Sequence, residues 1–81
     1  MSTTRTRSDE LRNELVVIGS TRGFLSMQGK DPRTRQIGDE LDRIGGMTEM
    51  RRVHAMVVDQ LGRHYSRELE VAWDGIGKWL G

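Results

Sequence analysis

Residues 31–62 read DPRTRQIGDELDRIGGMTEMRRVHAMVVDQLG, and the caps and glycines in this stretch decide the fold class. Asp31 can accept hydrogen bonds from the free amides of a first helical turn. Pro32 fits the first helical position, where its missing N–H costs nothing. Ile37, Leu41 and Ile44 then recur at helical spacing and make one narrow apolar stripe. Gly45-Gly46 stops that helix. Thr48 is the expected N-cap of the next one, with Glu49 in its first turn. Met50, Val53, Val57 and Leu61 supply its stripe, which Met56 and Val58 widen. Gly62 terminates it.

The same pattern extends in both directions. On the N-terminal side, Ser8 is the expected N-cap, and Asp9 and Glu10 follow where the helix dipole favours acids. Leu11, Leu15, Ile18 and Leu25 share one helical face. Gly19 and Gly23 lie within this stretch. Either the helix breaks near Gly19, or a bare face lets another helix approach closely. A short strand at 15–18 is a third option, because β-branched residues cluster there. Residues 1–7 are polar without a period and are expected to fray. Beyond Gly62, a fourth stripe of Leu69, Ala72, Trp73, Ile76 and Leu80 starts near Ser66. The expectation is an all-α fold: a compact bundle of three to four short helices with glycine-containing turns. Residues 1–7 form a disordered tail and residues 8–81 one helical domain.

Composition bounds the rest. A chain of 81 residues buries only about 60% of its unfolded surface, so one thin core fits. Sharing that core with a second copy is a common remedy. Cysteine is absent, which removes disulfides, thiolate nucleophiles and cysteine-bound zinc. Apolar runs never exceed four residues, against about 20 for a membrane helix. No secretory leader is visible, so the cytoplasm is the default expectation. The net charge is +1, too small to steer the chain strongly to nucleic acid or anionic lipid. Arginine outnumbers lysine eleven to two. That is either codon bias or a preference for planar, bidentate contacts with carboxylate or phosphate.

Chemical motifs fare poorly. Gly23 to Lys30 reads GFLSMQGK. A phosphate loop needs four residues between its glycines and Ser or Thr after the lysine. Here five intervene, and Asp31 follows. His54 and His64 are the only histidines and lie ten apart, so no three- or four-ligand metal set is assembled. The serines show no nucleophile elbow, and the acids read as first-turn or solvent-face groups. No catalytic residue, metal or cofactor is expected, and no enzymatic activity.

Two binding readings remain. Residues 36–61 form helix, glycine turn, helix, and Arg51, Arg52 and His54 stand early in the second helix, where a recognition helix touches bases. Arg5 and Arg7 would add phosphate contacts. Against this, placing Gly45 at the usual turn glycine puts Arg51 at an apolar core position. Leu41 then falls where a small residue is usual. The other reading rests on Trp73-Asp74-Gly75-Ile76-Gly77-Lys78-Trp79, because Trp is enriched at interface hot spots. Trp73 is in phase with the apolar stripe and reads as core. Trp79 stands open between core and interface.

Ile37-Gly38, Leu41, Gly45-Gly46 and Met50, followed by Trp73-Asp74-Gly75-Ile76-Gly77 and Trp79, resemble a pattern in short bacterial helical proteins of uncharacterised function. The resemblance covers roughly residues 24–79. It implies a compact helical fold and no activity. The leading expectation is a small helical protein-interaction module that self-associates. Its contact surface is Trp79, Ile76 and Leu80, joined by Met47 and Met50. A DNA- or RNA-binding regulator using Arg51, Arg52, His54, Arg5 and Arg7 is the alternative.

Overall fold

The computed structural model describes residues 3–79, the side chains of residues 3–5 excepted. Helix α1 spans Thr3–Thr21. Strands β1 (Leu25–Ser26) and β2 (Gly29–Lys30) form an antiparallel hairpin, with Leu25 opposite Lys30 and Ser26 opposite Gly29. Helix α2 spans Pro32–Leu61, and α3 spans His64–Ala72. The fold is therefore mostly helical, as expected, but not purely so. The hairpin was not legible in the sequence. The amides of Arg22 and Gly23 both donate to the Ile18 carbonyl, at 3.0 and 2.8 Å, and close α1. The Asp31 amide then donates to the Phe24 carbonyl at 3.0 Å, so 24–31 forms a closed loop, not more helix. Leu25, expected on the α1 face, lies in β1, and Phe24 fills the core in its place.

The structure bears on three expectations about α1. The helix starts at Thr3, inside the stretch expected to fray. Ser8 is no N-cap: it is buried within the helix, and its hydroxyl donates to the Glu49 carboxylate. Gly19 does not break α1. A Cβ there would collide with Leu61 Cδ1 and stand 2.9 Å from Phe24 Cζ. The bare face is where α2 approaches.

Helix α2 begins as its caps dictate. The Asp31 carboxylate accepts from the Thr34 amide and the Thr34 hydroxyl, both at 2.9 Å. Within α2 only Gly45 (φ −152°, ψ 18°) and Gly46 (φ 65°, ψ −155°) leave helical geometry. A straight 30-residue helix would measure about 45 Å, more than the molecule's longest dimension of 39 Å. The contacts show how it fits. Arg7 and Glu14 of α1 pair with Glu40 and Arg33, so α1 and the first arm (32–44) run in opposite senses. Ser8 and Gly19 meet Glu49 and Leu61, so α1 and the second arm (47–61) run in the same sense. The two arms fold back on each other at Gly45-Gly46.

The core lies where α1, both arms and the C-terminal segment converge. Leu11, Leu15 and Ile18 enter from α1, Phe24 from the loop, and Ile37 and Leu41 from the first arm. Met50, Val53 and Val57 come from the second arm. Leu69, Ala72, Trp73, Ile76 and Trp79 close it. Each such side chain, fully buried, contributes about 1.5–3 kcal/mol. The second arm ends at Gly62. Helix α3 begins at His64, two residues before the expected start at Ser66, and has no side-chain cap at Arg63.

Candidate functional site

The proposed contact surface of the C-terminal segment is part of the core. Trp79 and Ile76 are each 7% exposed, and Met50 is fully buried. Met47 is half-buried and packs against the same cluster. Leu80 lies outside the described residues. The two indoles meet edge to face, with centroids 5.2 Å apart at 86°. Both N–H groups are occupied. Trp73 Nε1 donates to the Thr34 carbonyl, and Trp79 Nε1 donates to the Glu70 carbonyl, each at 3.0 Å. Side chains sealed this way have little area left for a partner. Within one chain Trp79, Ile76 and Met50 lie in the core, and Met47 packs partly buried against it. Gly38 makes room for part of this packing: a Cβ there would stand 2.5 Å from Trp73 Cδ1 and 3.0 Å from Ile76 Cδ1. The missing side chain leaves the seat that Trp73 fills. A glycine beside Ile37 and Leu41 in a strong stripe was the available signal.

Arg35 completes this seam and was missed from the sequence. Its Nη1 donates to the Ala72 carbonyl at 2.8 Å and the Asp74 carbonyl at 3.0 Å. It satisfies acceptors that the end of α3 leaves open. His54 stands against the same ring pair, 5.4 Å from Trp79 and 6.3 Å from Trp73. Its Nε2 donates to the Ser66 carbonyl at 3.2 Å.

The residues of the nucleic-acid reading are mostly occupied as well. Arg52 donates twice to Glu49, at 2.8 and 2.9 Å, and reaches Met56 Sδ. Arg7 donates to Glu40 at 2.9 Å and to Glu10 at 3.1 Å. These carboxylates hold both guanidinium groups further in their charged form; the hydrogen bonds that Arg52 donates to Glu49, and that Arg7 donates to Glu40 and then Glu10, are the main causes. Arg51 is exposed and shows no carboxylate pairing among the described residues, the Arg7 side chain is partly exposed though paired, and the Arg5 side chain lies outside the described set. The arms double back, whereas a helix-turn-helix sets its helices at about 90–120°. The arginine excess is spent on carboxylates: Arg22 with Asp31 and Arg33 with Glu14 repeat the bidentate pattern.

Among the described residues, no three His, Asp or Glu groups stand close enough to hold a metal ion. Every buried side-chain N or O atom there has a hydrogen-bond partner. The described residues form shallow clefts, two of them beside His54 and Arg35. One of about 360 Å³ lies between His54, Ala55, Val58, Asp59, Gly62 and Arg63. The other, of about 390 Å³, lies between Arg35, Gln36, Asp39 and Gly75 to Gly77. Neither brings a nucleophile and a base together. No helix of the described chain is long and apolar enough to cross a membrane.

Among the described residues, two large apolar side chains stand exposed. Val17 is 58% exposed on the outer side of α1, and Met27 is fully exposed at the hairpin tip. Asn13, Ser20 and Thr21 share the exposed side of α1 with Val17. The Ser20 and Thr21 hydroxyls donate back to carbonyls of their own helix. Positions 13, 17, 20 and 21 thus carry no charge, in a chain that is 31% charged. No family model, curated protein or solved structure matches this chain.

Proposed function

We propose that this chain is a small helical interaction module that binds another protein through the hairpin tip and the outer side of α1. One observation carries the reading: Met27 occupies a two-residue turn and touches nothing. Turn positions ordinarily go to Gly, Pro, Asn, Asp or Ser, for conformational reasons. Methionine brings none of those benefits to the fold. It brings a flexible, polarisable apolar side chain that adapts to a partner's surface. Val17 stands near the close of α1, one turn before the chain leaves for the hairpin, on a strip whose hydroxyls are already satisfied. Shape and polarity there favour a dry protein contact over a phosphate backbone.

The test is site-specific photocrosslinking in the native cell, with the photoreactive residue at position 27 or, as a control, at exposed Gln60. A discrete protein adduct from position 27, absent from position 60 and lost in Val17→Lys, is the expected result. Absence of any adduct from 27 overturns the reading. Adducts that disappear with nuclease would move attention to Arg51 and restore the nucleic-acid alternative.

A further inference from the structure

The reversal between the two arms of α2 rests on two residues. On either side of them the chain is helical, from Pro32 to Leu61. Gly46 has φ 65°, a conformation L side chains rarely adopt, and a Cβ placed there would meet nothing within 4 Å. No side chain packs around Gly46 to lock the turn; the core that the two arms share holds it closed. Rotation at Gly45 and Gly46 into helical angles would make α2 one continuous rod of about 45 Å.

In a single chain that rod would strip the core. Ile37 and Leu41 would leave Met50, Val53 and Val57, with which they share the buried cluster. Trp73 would lose either its seat at Gly38 or its neighbour His54, because it touches both arms. A second copy restores every one of these contacts. The first arm of one chain packs on the second arm of the other, Trp73 Nε1 donates to the partner copy's Thr34 carbonyl, and only the two hinge residues differ. Exchange of identical elements through a short hinge is a low-cost route to a dimer.

We propose that Gly45-Gly46 is a hinge through which two copies of this chain exchange arms, giving a dimer in which α2 is continuous. The occupant of each opened core is thus the second copy. The exchange does not depend on Val17 or Met27, so it stands or falls separately from the surface proposed above.

The chain has no cysteine, so Gln36→Cys and Gln60→Cys can carry the sole spin-label pair. Labelled chain is diluted into unlabelled chain, so that only distances within one chain are read. In the folded-back chain the labels lie about 15–25 Å apart. In a continuous α2 they lie about 36 Å apart. Light scattering gives the mass in parallel. The native protein, refolded at millimolar concentration, is expected to show a doubled mass with the long distance. Gly45→Ala/Gly46→Ala should reach that state at a concentration roughly tenfold lower or less, since alanine favours the helix over the turn. A native protein that stays monomeric, or dimerises while keeping the short distance, overturns the proposal whether or not the variant folds. A native long-distance dimer whose onset the alanines leave unmoved overturns the assignment of the hinge to these glycines.

Discussion

Two seams hold the folded-back arms, and their rims differ. Along α1 the rim is charged: Arg7 with Glu40, and Arg33 with Glu14, at side chains 31–42% exposed. Along the C-terminal segment it is aromatic and dry: two indole N–H groups and one guanidinium donate to main-chain carbonyls. Exposed ion pairs gain little, because water and salt screen them and ordering long side chains costs entropy. They set the register and sense of α1 more than its affinity. Buried donors are different. Removing one partner leaves the other unsatisfied, at about 1–3 kcal/mol. The C-terminal seam should therefore dominate stability, and the α1 seam should carry its dependence on pH.

The hardest blow to that contrast is Trp73→Ala. It deletes the ring seated at Gly38 and orphans the Thr34 carbonyl, and should cost about 3–5 kcal/mol in denaturant unfolding. A loss below about 1 kcal/mol would mean the indole seam is not the anchor. Gly38→Ala probes the same seam from the other side. Overpacking should cost about 1–3 kcal/mol. Gly19→Ala should cost less, because its first obstacle is the free end of Leu61, which can turn away.

Acid sharpens the comparison. Hydrogen bonds from Arg33 and Arg7 hold Glu14 and Glu40 below the ordinary glutamate value of 4.5. Arg22, followed by the Thr34 bonds, does the same for Asp31 against burial. A lowered native value means that the unfolded chain takes up protons first. This share of stability is present in full above the ordinary value and disappears as the pH falls from about 5 through the lowered native values. Unfolding midpoints measured from pH 7 down to pH 3 should fall less steeply in Glu14→Gln/Glu40→Gln, with Asp31 among the carboxylates that keep part of the slope. A slope unchanged in that variant would place the acid sensitivity elsewhere. The smallest effect is Glu14→Gln alone at neutral pH, about 0.5 kcal/mol, shrinking further as salt is added.

Much of the fold was legible in local chemistry. Asp31-Pro32, the 37–41 stripe, the stop at Gly45-Gly46, the 50–61 stripe and Gly62 are all where caps and periodicity place them. What failed were positions whose role depends on a distant neighbour. Ser8 looks like a cap beside Asp9 and Glu10 but is buried because Glu49 lies across from it. Ile76 looks like an interface residue in a glycine-rich tail but lies in the core, beside the seat that Gly38 vacates far back in the sequence. The loop at 24–31 carries a two-residue hairpin, too short to show a period.

Sequence by itself determined the mostly helical character, the capped start of α2 at Asp31-Pro32, the position of the reversal and the lack of cysteine chemistry, because each is set within one or two turns of chain. Only the tertiary structure decided which apolar residues face inward and which arginines are spent on carboxylates. It also decided that Val17 and Met27 are left outside. Those outcomes depend on which surfaces meet across the fold, and a local pattern holds no record of the other side.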